Sequence, residues 1–265
     1  MTEPVGTQDV ADLYDGAQGN LFELVFGEQI HVGGFDASLA LADRAGILPG
    51  QRGVDLCCCN GAGMRFLVRF REVASMTGVD ISQRVIDLGR ARCAEEGLSK
   101  RIRFVHADAC QSGLDDASAD FVWSEDAWVY VPDKARLVGE AARIVKRDGV
   151  IAFTDWVEGP AGLGEAESEP LFAALTFPNL QTIEGYRGLL EKAGCEVTLA
   201  EDTGAFARCM DLAAELLETQ FKYDALRLLG WNESLGAATS QGFRGLADLA
   251  RAGKIQQGRF VARRR

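Results

Sequence analysis

The chain has 265 residues, with 39 acidic side chains against 28 basic ones and a formal charge of −11 at neutral pH. Such a length buries a full core, the net field repels phosphate-rich partners and so makes DNA and RNA poor substrate candidates, and no apolar run reaches the roughly 20 residues needed to cross a bilayer. The polar, acidic start from Met1 to Asp15 lacks the charged-then-apolar pattern of a secretory leader, so the expected location is the cytoplasm.

In chain order, the first 35 residues, holding Tyr14, Phe22, Phe26 and Phe35, are expected to form one half of a lid. Residues 54–59 read as a strand that runs into the turn Asn60-Gly61-Ala62-Gly63 and a helix to about Phe70. A second strand over 73–79 ends at Asp80, and Ser82 caps a helix to about Glu96. A third strand covers 101–106, a fourth 121–124, a helix 133–146 and a fifth strand 150–154. Beyond Asp155, residues 158–169 are rich in Gly, Glu and Pro and read as a loop. A helix over 182–193, a strand over 196–200, helices over 206–229 and 235–250, and a strand over 254–262 complete the chain. Strands alternating with helices at this spacing imply right-handed crossovers and a mostly parallel seven-stranded sheet covered by helices on both faces. The expected organisation is one domain over 1–265, with a cofactor core at 36–156 and lid helices plus the last two strands at 157–265.

In such a sheet ligands bind at the carboxyl ends of the strands, so those ends carry the chemistry. Val54-Asp55-Leu56-Cys57-Cys58-Cys59-Asn60-Gly61-Ala62-Gly63 joins a strand to a turn of small residues that lets backbone N–H groups approach a nucleotide-like ligand. Asp55 suits a cationic amino group. Asp80 lies at the second strand end, at a spacing suited to ribose hydroxyls, with Ile81 against an adenine face. Asp108 at the third can accept from an adenine amino group, with the N–H of Ala109 on a ring nitrogen. Three acids at three consecutive strand ends favour an adenosine ligand. Seven cysteines, three of them adjacent, fit reduced thiols rather than a disulfide framework. Neither their spacing nor the distant His31 and His106 composes a metal site.

These motifs resemble the class I, Rossmann-like methyltransferases that use S-adenosyl-L-methionine, and within them the branch of sarcosine/dimethylglycine and phosphoethanolamine N-methyltransferases. Phe26-Gly27-Glu28-Gln29-Ile30-His31-Val32-Gly33-Gly34 is similar to the segment that closes over the methionine part of the cofactor there, which implies a cofactor role for Ile30 and His31. Trp123-Ser124-Glu125-Asp126-Ala127-Trp128-Val129-Tyr130 resembles the fourth-strand motif and Phe153-Thr154-Asp155-Trp156 the end of the fifth. The resemblance implies that Cys57, Gly61 and Ser124 also line the cofactor site. It implies that Tyr14 and Tyr130 stand where the branch keeps an acid–base pair, with Asp126 near the acceptor atom.

The chain departs from that pattern in three places. Cys57 and Cys59 replace glycines and are expected to be extended, leaving Gly61 for the close approach. Tyr130 replaces a common histidine; two phenols with ordinary pKa values of about 10 are poor bases, so Tyr14 and Tyr130 are expected to orient the acceptor while Asp126 stabilises charge. The phosphate-holding residues of the branch have no match around Phe177-Pro178-Asn179, which argues against phosphoethanolamine. An NAD enzyme would place glycine where Phe66 follows Gly61 and Gly63. The expected acceptor is a small amine such as glycine, sarcosine or dimethylglycine, favoured by Glu125-Asp126 beside Trp128 and Tyr130. An apolar acceptor methylated on carbon or oxygen, as in sterol and tocopherol enzymes, stays open, as does a non-enzymatic adenosine-ligand sensor. Trp123 reads as core packing, and Trp128 as either packing or a wall facing the substrate.

Overall fold

The computed structural model of the chain describes Gly6, Asp9, Val10, Tyr14 and residues 16–265. Short β-rich segments β1 (Arg52–Leu56), β2 (Ser75–Asp80), β3 (Ile102–His106), β4 (Ala119–Glu125) and β5 (Val145–Glu158) pair in parallel. The two-residue strand β6 (Gln181–Thr182) adds to β5, while β7 (Cys195–Asp202) and β8 (Ile255–Arg264) are antiparallel additions. The main path is β3-β2-β1-β4-β5-β8-β7. This is the mostly parallel α/β sheet expected from the alternating pattern, with the short β6 an eighth strand beyond the seven expected. Strand order reverses between β1 and β4, which places a crevice beyond Leu56 and Glu125.

Period-two alternation fills both faces of the sheet. On β4, Val122 enters the layer shared with Leu137, Ala141 and Leu190, whereas Phe121 and Trp123 enter the opposite layer with Leu41, Met64 and Ile86. Full burial of side chains of this size contributes roughly 1.5–3 kcal/mol each, an upper estimate relative to an extended unfolded chain. The first layer is covered by α5 (Lys134–Ile144) and α7 (Ile183–Lys192), the second by α2 (Gly34–Ala45), α3 (Ala62–Phe70) and α4 (Gln83–Glu95). Ser82 Oγ caps α4 by accepting from Val85 N–H at 3.3 Å, and Asp133 caps α5 by accepting from Arg136 N–H at 2.9 Å.

A third apolar cluster sits over the carboxyl ends. It joins α1 (Ala17–Phe26) and Val32 to α8 (Phe206–Glu218), α9 (Lys222–Leu228) and α10 (Glu233–Arg251) through Leu21, Met210, Ala214, Ala225, Phe243 and Ala247. Two local expectations are corrected here. The stretch 206–229 is two helices, because the chain turns at Thr219 (φ −124°, ψ −93°). The stretch 158–169 is only partly a loop: α6 (Glu165–Leu175) begins inside it, with Glu165 and Glu167 suiting its amino end. That helix has no buried residue and contains Pro170, so it leaves no amphipathic signature; an ion pair of Glu167 with Lys254 fastens it to the start of β8. Helix α2, with Leu41 and Ala42 in the core, occupies a stretch to which the sequence pattern assigns no element.

Candidate active site

The turn after β1 builds the floor of the crevice. Cys57 and Cys59 are not extended: both are left-handed, at φ 67° and 47°, as is Gly61 at 74°. Such a conformation costs roughly 1–2 kcal/mol for a residue with a Cβ. Hydrogen bonds offset it, since Cys57 N–H and Cys58 N–H both donate to Val79 O, at 2.9 and 3.1 Å, and Cys59 N–H donates to Asp80 Oδ2 at 2.8 Å. The curl sends Cys58 Sγ beneath β2, where a Cβ on Gly78 would stand 2.5 Å from it, and leaves Cys57 and Cys59 lining the crevice.

On one side of this turn lies a cavity of about 240 Å³ whose wall includes Tyr14, Cys57, Asp80, Ile81, Asp108 and Ala109. The Asp80 carboxylate is fixed by Cys59 N–H and, on Oδ1, by Ser82 N–H at 2.9 Å; burial nevertheless pushes its pKa above the ordinary value, against the lowering by those bonds. Asp108 Oδ1 accepts from Cys110 N–H at 2.8 Å, and Ile81 is exposed along the cavity. Asp80, Ile81, Asp108 and Ala109 are thus brought together from two strand ends.

On the other side, Ile30, His31, Asp55, Cys57 and Glu125 line a smaller cavity. Asp55 is 4% exposed, and no donor among the described residues reaches its carboxylate. Burial pushes its pKa up, and Glu125 and Asp80 push it further. The absence of a side chain at Gly63 helps keep the space open, for a Cβ there would lie 3.1 Å from Glu125 Oε2 and 3.5 Å from Asp55 Oδ2. An unpartnered buried carboxylate facing such a gap suits a ligand that carries an ammonium and a sulfonium. Glu125 itself is engaged: Ser38 Oγ donates to Oε1 at 2.7 Å, His31 Nε2 lies 3.3 Å from the same oxygen, and Trp123 Nε1 donates to Oε2 at 3.1 Å.

Ser124 is not part of this lining. Its hydroxyl donates to Leu56 O at 2.9 Å, tying β4 to β1, because alternation along β4 turns it away from the crevice. Trp128 is likewise core rather than wall, stacked on Phe153 with ring centroids 4.0 Å apart.

A third cavity, of only about 30 Å³ as the walls stand, adjoins the other two beneath the helical layer, so an acceptor enters it only as those walls part. It is walled by Phe22, Phe26, Trp156, Leu175, Phe177 and Phe243, with Ile30, Val32 and Val129 between them. Its polar lining is Tyr14, Tyr130, His31 and Asp126, and no lysine or arginine among the described residues reaches it. The Tyr14 and Tyr130 rings meet edge to face at 5.5 Å, and burial pushes both phenols above their usual range, so neither is a base near neutrality. Asp126, at φ 50°, is clamped. Val32 N–H donates to Oδ2 at 2.8 Å, and Gln257 Nε2 reaches both oxygens, at 2.9 and 2.8 Å, and Val32 O at 3.1 Å. Thr203 Oγ1 in turn donates to Gln257 Oε1 at 2.9 Å. Gln257 carries no motif, and nothing local marks it as the partner of a residue 131 positions away.

A class I α/β sheet with three strand-end acids around a glycine-gapped crevice is the architecture of enzymes that bind an adenosyl cofactor and a separate acceptor. The family model described as "Methyltransferase domain" matches residues 54–153. The chain is 30% identical over 223 residues to the 27-O-demethylrifamycin SV methyltransferase of Amycolatopsis mediterranei (strain S699), covering 78% of this chain and 80% of that one. It is 31% identical over 199 residues to the dimethylglycine N-methyltransferase of Parasynechococcus marenigrum (strain WH8102), covering 69% and 70%. The fold also matches the cyclopropane synthase MmaA2 of Mycobacterium tuberculosis, with a TM-score of 0.83 at 20% identity over all of both chains. The chain belongs to the class I S-adenosylmethionine-dependent methyltransferases, and S-adenosylmethionine is its methyl donor. Its acceptor is a small molecule. Among the described residues no helix is long and apolar enough to cross a membrane, and no cluster of side chains could hold a metal.

Proposed function

We propose that this methyltransferase acts on a hydroxyl oxygen of a largely apolar small molecule, and that a small amino acid such as dimethylglycine is not its acceptor. The observation that carries this reading is the lining of the third cavity: aromatic and aliphatic walls, two phenols, His31 and Asp126, and no lysine or arginine among the described residues to anchor a carboxylate. Desolvating an unpaired carboxylate there would cost several kcal/mol, whereas an apolar ring or chain gains about 25 cal/mol per Å² of surface removed from water. The rifamycin relative, named for a 27-O-demethyl substrate, is consistent with it.

When bound, S-adenosylmethionine supplies a methyl group already activated on a sulfonium. The protein has to hold it, place a lone pair in line and exclude water. Asp80 and Asp108 would hold the adenosine end, Asp55 the ammonium, with Ile30 and His31 closing over it. Tyr14 and Tyr130 orient the acceptor oxygen by hydrogen bonds. Asp126 is the cavity's carboxylate, and through lone pairs left by Val32 and Gln257 it takes up the hydroxyl proton. The helices above act as the lid. Turnover can be followed as S-adenosylhomocysteine formation over a panel of hydrophobic phenols, aliphatic alcohols, glycine, sarcosine and dimethylglycine. Activity with the hydroxyl compounds is expected; activity confined to the amines would overturn the reading.

A further inference from the structure

Two buried charged side chains have no part in that chemistry. Lys134, in the first turn of α5, and Asp155, on β5, are buried, and no ion pair within 4.0 Å joins either to another described residue. Both are instead used on the short 3-10 turn Trp128–Tyr130. Val129 N–H donates to Asp155 Oδ1 at 2.9 Å, and the Lys134 ammonium donates to Val129 O at 3.0 Å. Opposite charges therefore grip both backbone polar groups of one residue in the cavity wall.

The other donors of Lys134 reach Val131 O at 2.6 Å and Asn179 O at 3.4 Å, and Asn179 Nδ2 donates back to Pro132 O at 3.0 Å. Phe177, two residues before Asn179, meets Tyr130 and Trp156 with ring centroids 5.2 and 5.5 Å away. One ammonium thus joins two walls of the third cavity, the Tyr130 turn and the Phe177 segment. It has three N–H donors for three carbonyls; the neutral amine has two. Asp155 completes its own set by accepting from Tyr186 OH at 2.6 Å. The groups facing Lys134 are Asp155, Cys57 and Cys110, and those facing Asp155 are Lys134, Tyr186 and Asp126.

We infer that Lys134 and Asp155 are positioning residues that hold Tyr130 and Phe177 in place, so that the charge on Lys134 controls how well the third cavity receives an apolar phenol. The inference rests on the reading of that cavity as the acceptor site. Burial lowers the Lys134 ammonium well below its ordinary value, and the same burial raises Asp155. The third donor is therefore present at lower pH and lost as pH rises through the lowered value. Loss of one such hydrogen bond corresponds to roughly three- to tenfold in affinity.

The test uses the full chain saturated with S-adenosylhomocysteine, between pH 6.5 and 9.5. Intrinsic tryptophan emission reports the wall, since Trp128 lies in the turn and Trp156 packs on Phe177. Equilibrium dialysis of 4-tert-butylphenol reports the cavity. Wild type should show an emission transition within this range and weaker phenol binding above it by roughly three- to tenfold. Tyr130→Phe should keep the emission transition, Lys134→Met should lose it, and Asp155→Asn, which removes the facing negative charge, should move it to lower pH. A pH-independent wild type, or an unchanged transition in Lys134→Met, overturns the inference. An emission transition that is lost in Lys134→Met upholds the positioning role even where the phenol does not bind, a failure that would count against the acceptor reading alone.

Discussion

Replacing Asp80 by alanine should separate what the residue does for the ligand from what it does for the turn. Its carboxylate is positioned to accept from ribose hydroxyls, and loss of a charged hydrogen-bonding partner corresponds to roughly 1.5–3 kcal/mol, or about ten- to hundredfold in the dissociation constant. The structure adds a second effect. Cys59 N–H and Ser82 N–H both donate to this carboxylate, at 2.8 and 2.9 Å, and the first of these bonds steadies a left-handed cysteine. Both amides are part-buried, so losing them should cost about 1–3 kcal/mol in stability. In a chain of this size that is roughly 2–4 °C in Tm per kcal/mol. Asp80→Asn retains one carbonyl acceptor and should recover part of the stability but little of the affinity. Calorimetry with S-adenosylhomocysteine and thermal unfolding of both variants provide the two numbers. Affinity within twofold of wild type in Asp80→Ala would refute the ribose role, whatever the Tm.

Three further outcomes follow from the same geometry. Tyr14→Phe and Tyr130→Phe should lower kcat for a hydroxyl acceptor about tenfold or more while calorimetric affinity for S-adenosylhomocysteine stays nearly constant; wild-type kcat in both would remove the phenols from the mechanism. Gln257→Leu strips both Asp126 oxygens and Val32 O of a buried donor, so thermal unfolding should register a loss of roughly 1.5–3 kcal/mol and kinetics a raised acceptor KM; an unchanged Tm would contradict the clamp. Cys59→Gly relieves a φ of 47° at the cost of a more flexible unfolded chain, leaving a net gain of up to about 1 kcal/mol, and a clear drop in Tm would show that the thiol contributes more than its backbone strain.

The parts of the site that sequence reading reached are those where chemistry and local structure coincide. Asp55, Asp80 and Asp108 each lie at or just beyond a strand end, and the parallel register that aligns Leu56 with Val79 and Asp80 with His106 brings those ends into one crevice. The left-handed turn at Cys57 and Cys59 is not legible in the sequence because cysteine carries no propensity for it; the turn is imposed by tertiary hydrogen bonds to Val79 and Asp80. The orientation of Ser124 is not legible either, because its motif indicates a strand end but not which way each side chain faces. The Asp126 clamp joins positions 32, 126 and 257, and the third cavity gathers side chains from residue 14 to residue 243. No periodicity records such pairings. The acidic Glu125-Asp126 pair suggests an amine from sequence; only the fold shows that Ser38 and Trp123 hold Glu125 while Val32 and Gln257 hold Asp126.

The acceptor atom is tested most directly by its product. The chain is incubated with S-adenosylmethionine carrying a ¹³C-labelled methyl group and an equimolar mixture of a hydrophobic phenol, a hydrophobic alcohol and dimethylglycine, and the ¹³C spectrum of the products is recorded. The expected result is label in an O-methyl resonance of a hydroxyl compound, reduced in Tyr130→Phe. Label found only in the N-methyl resonance of betaine would contradict an apolar hydroxyl acceptor.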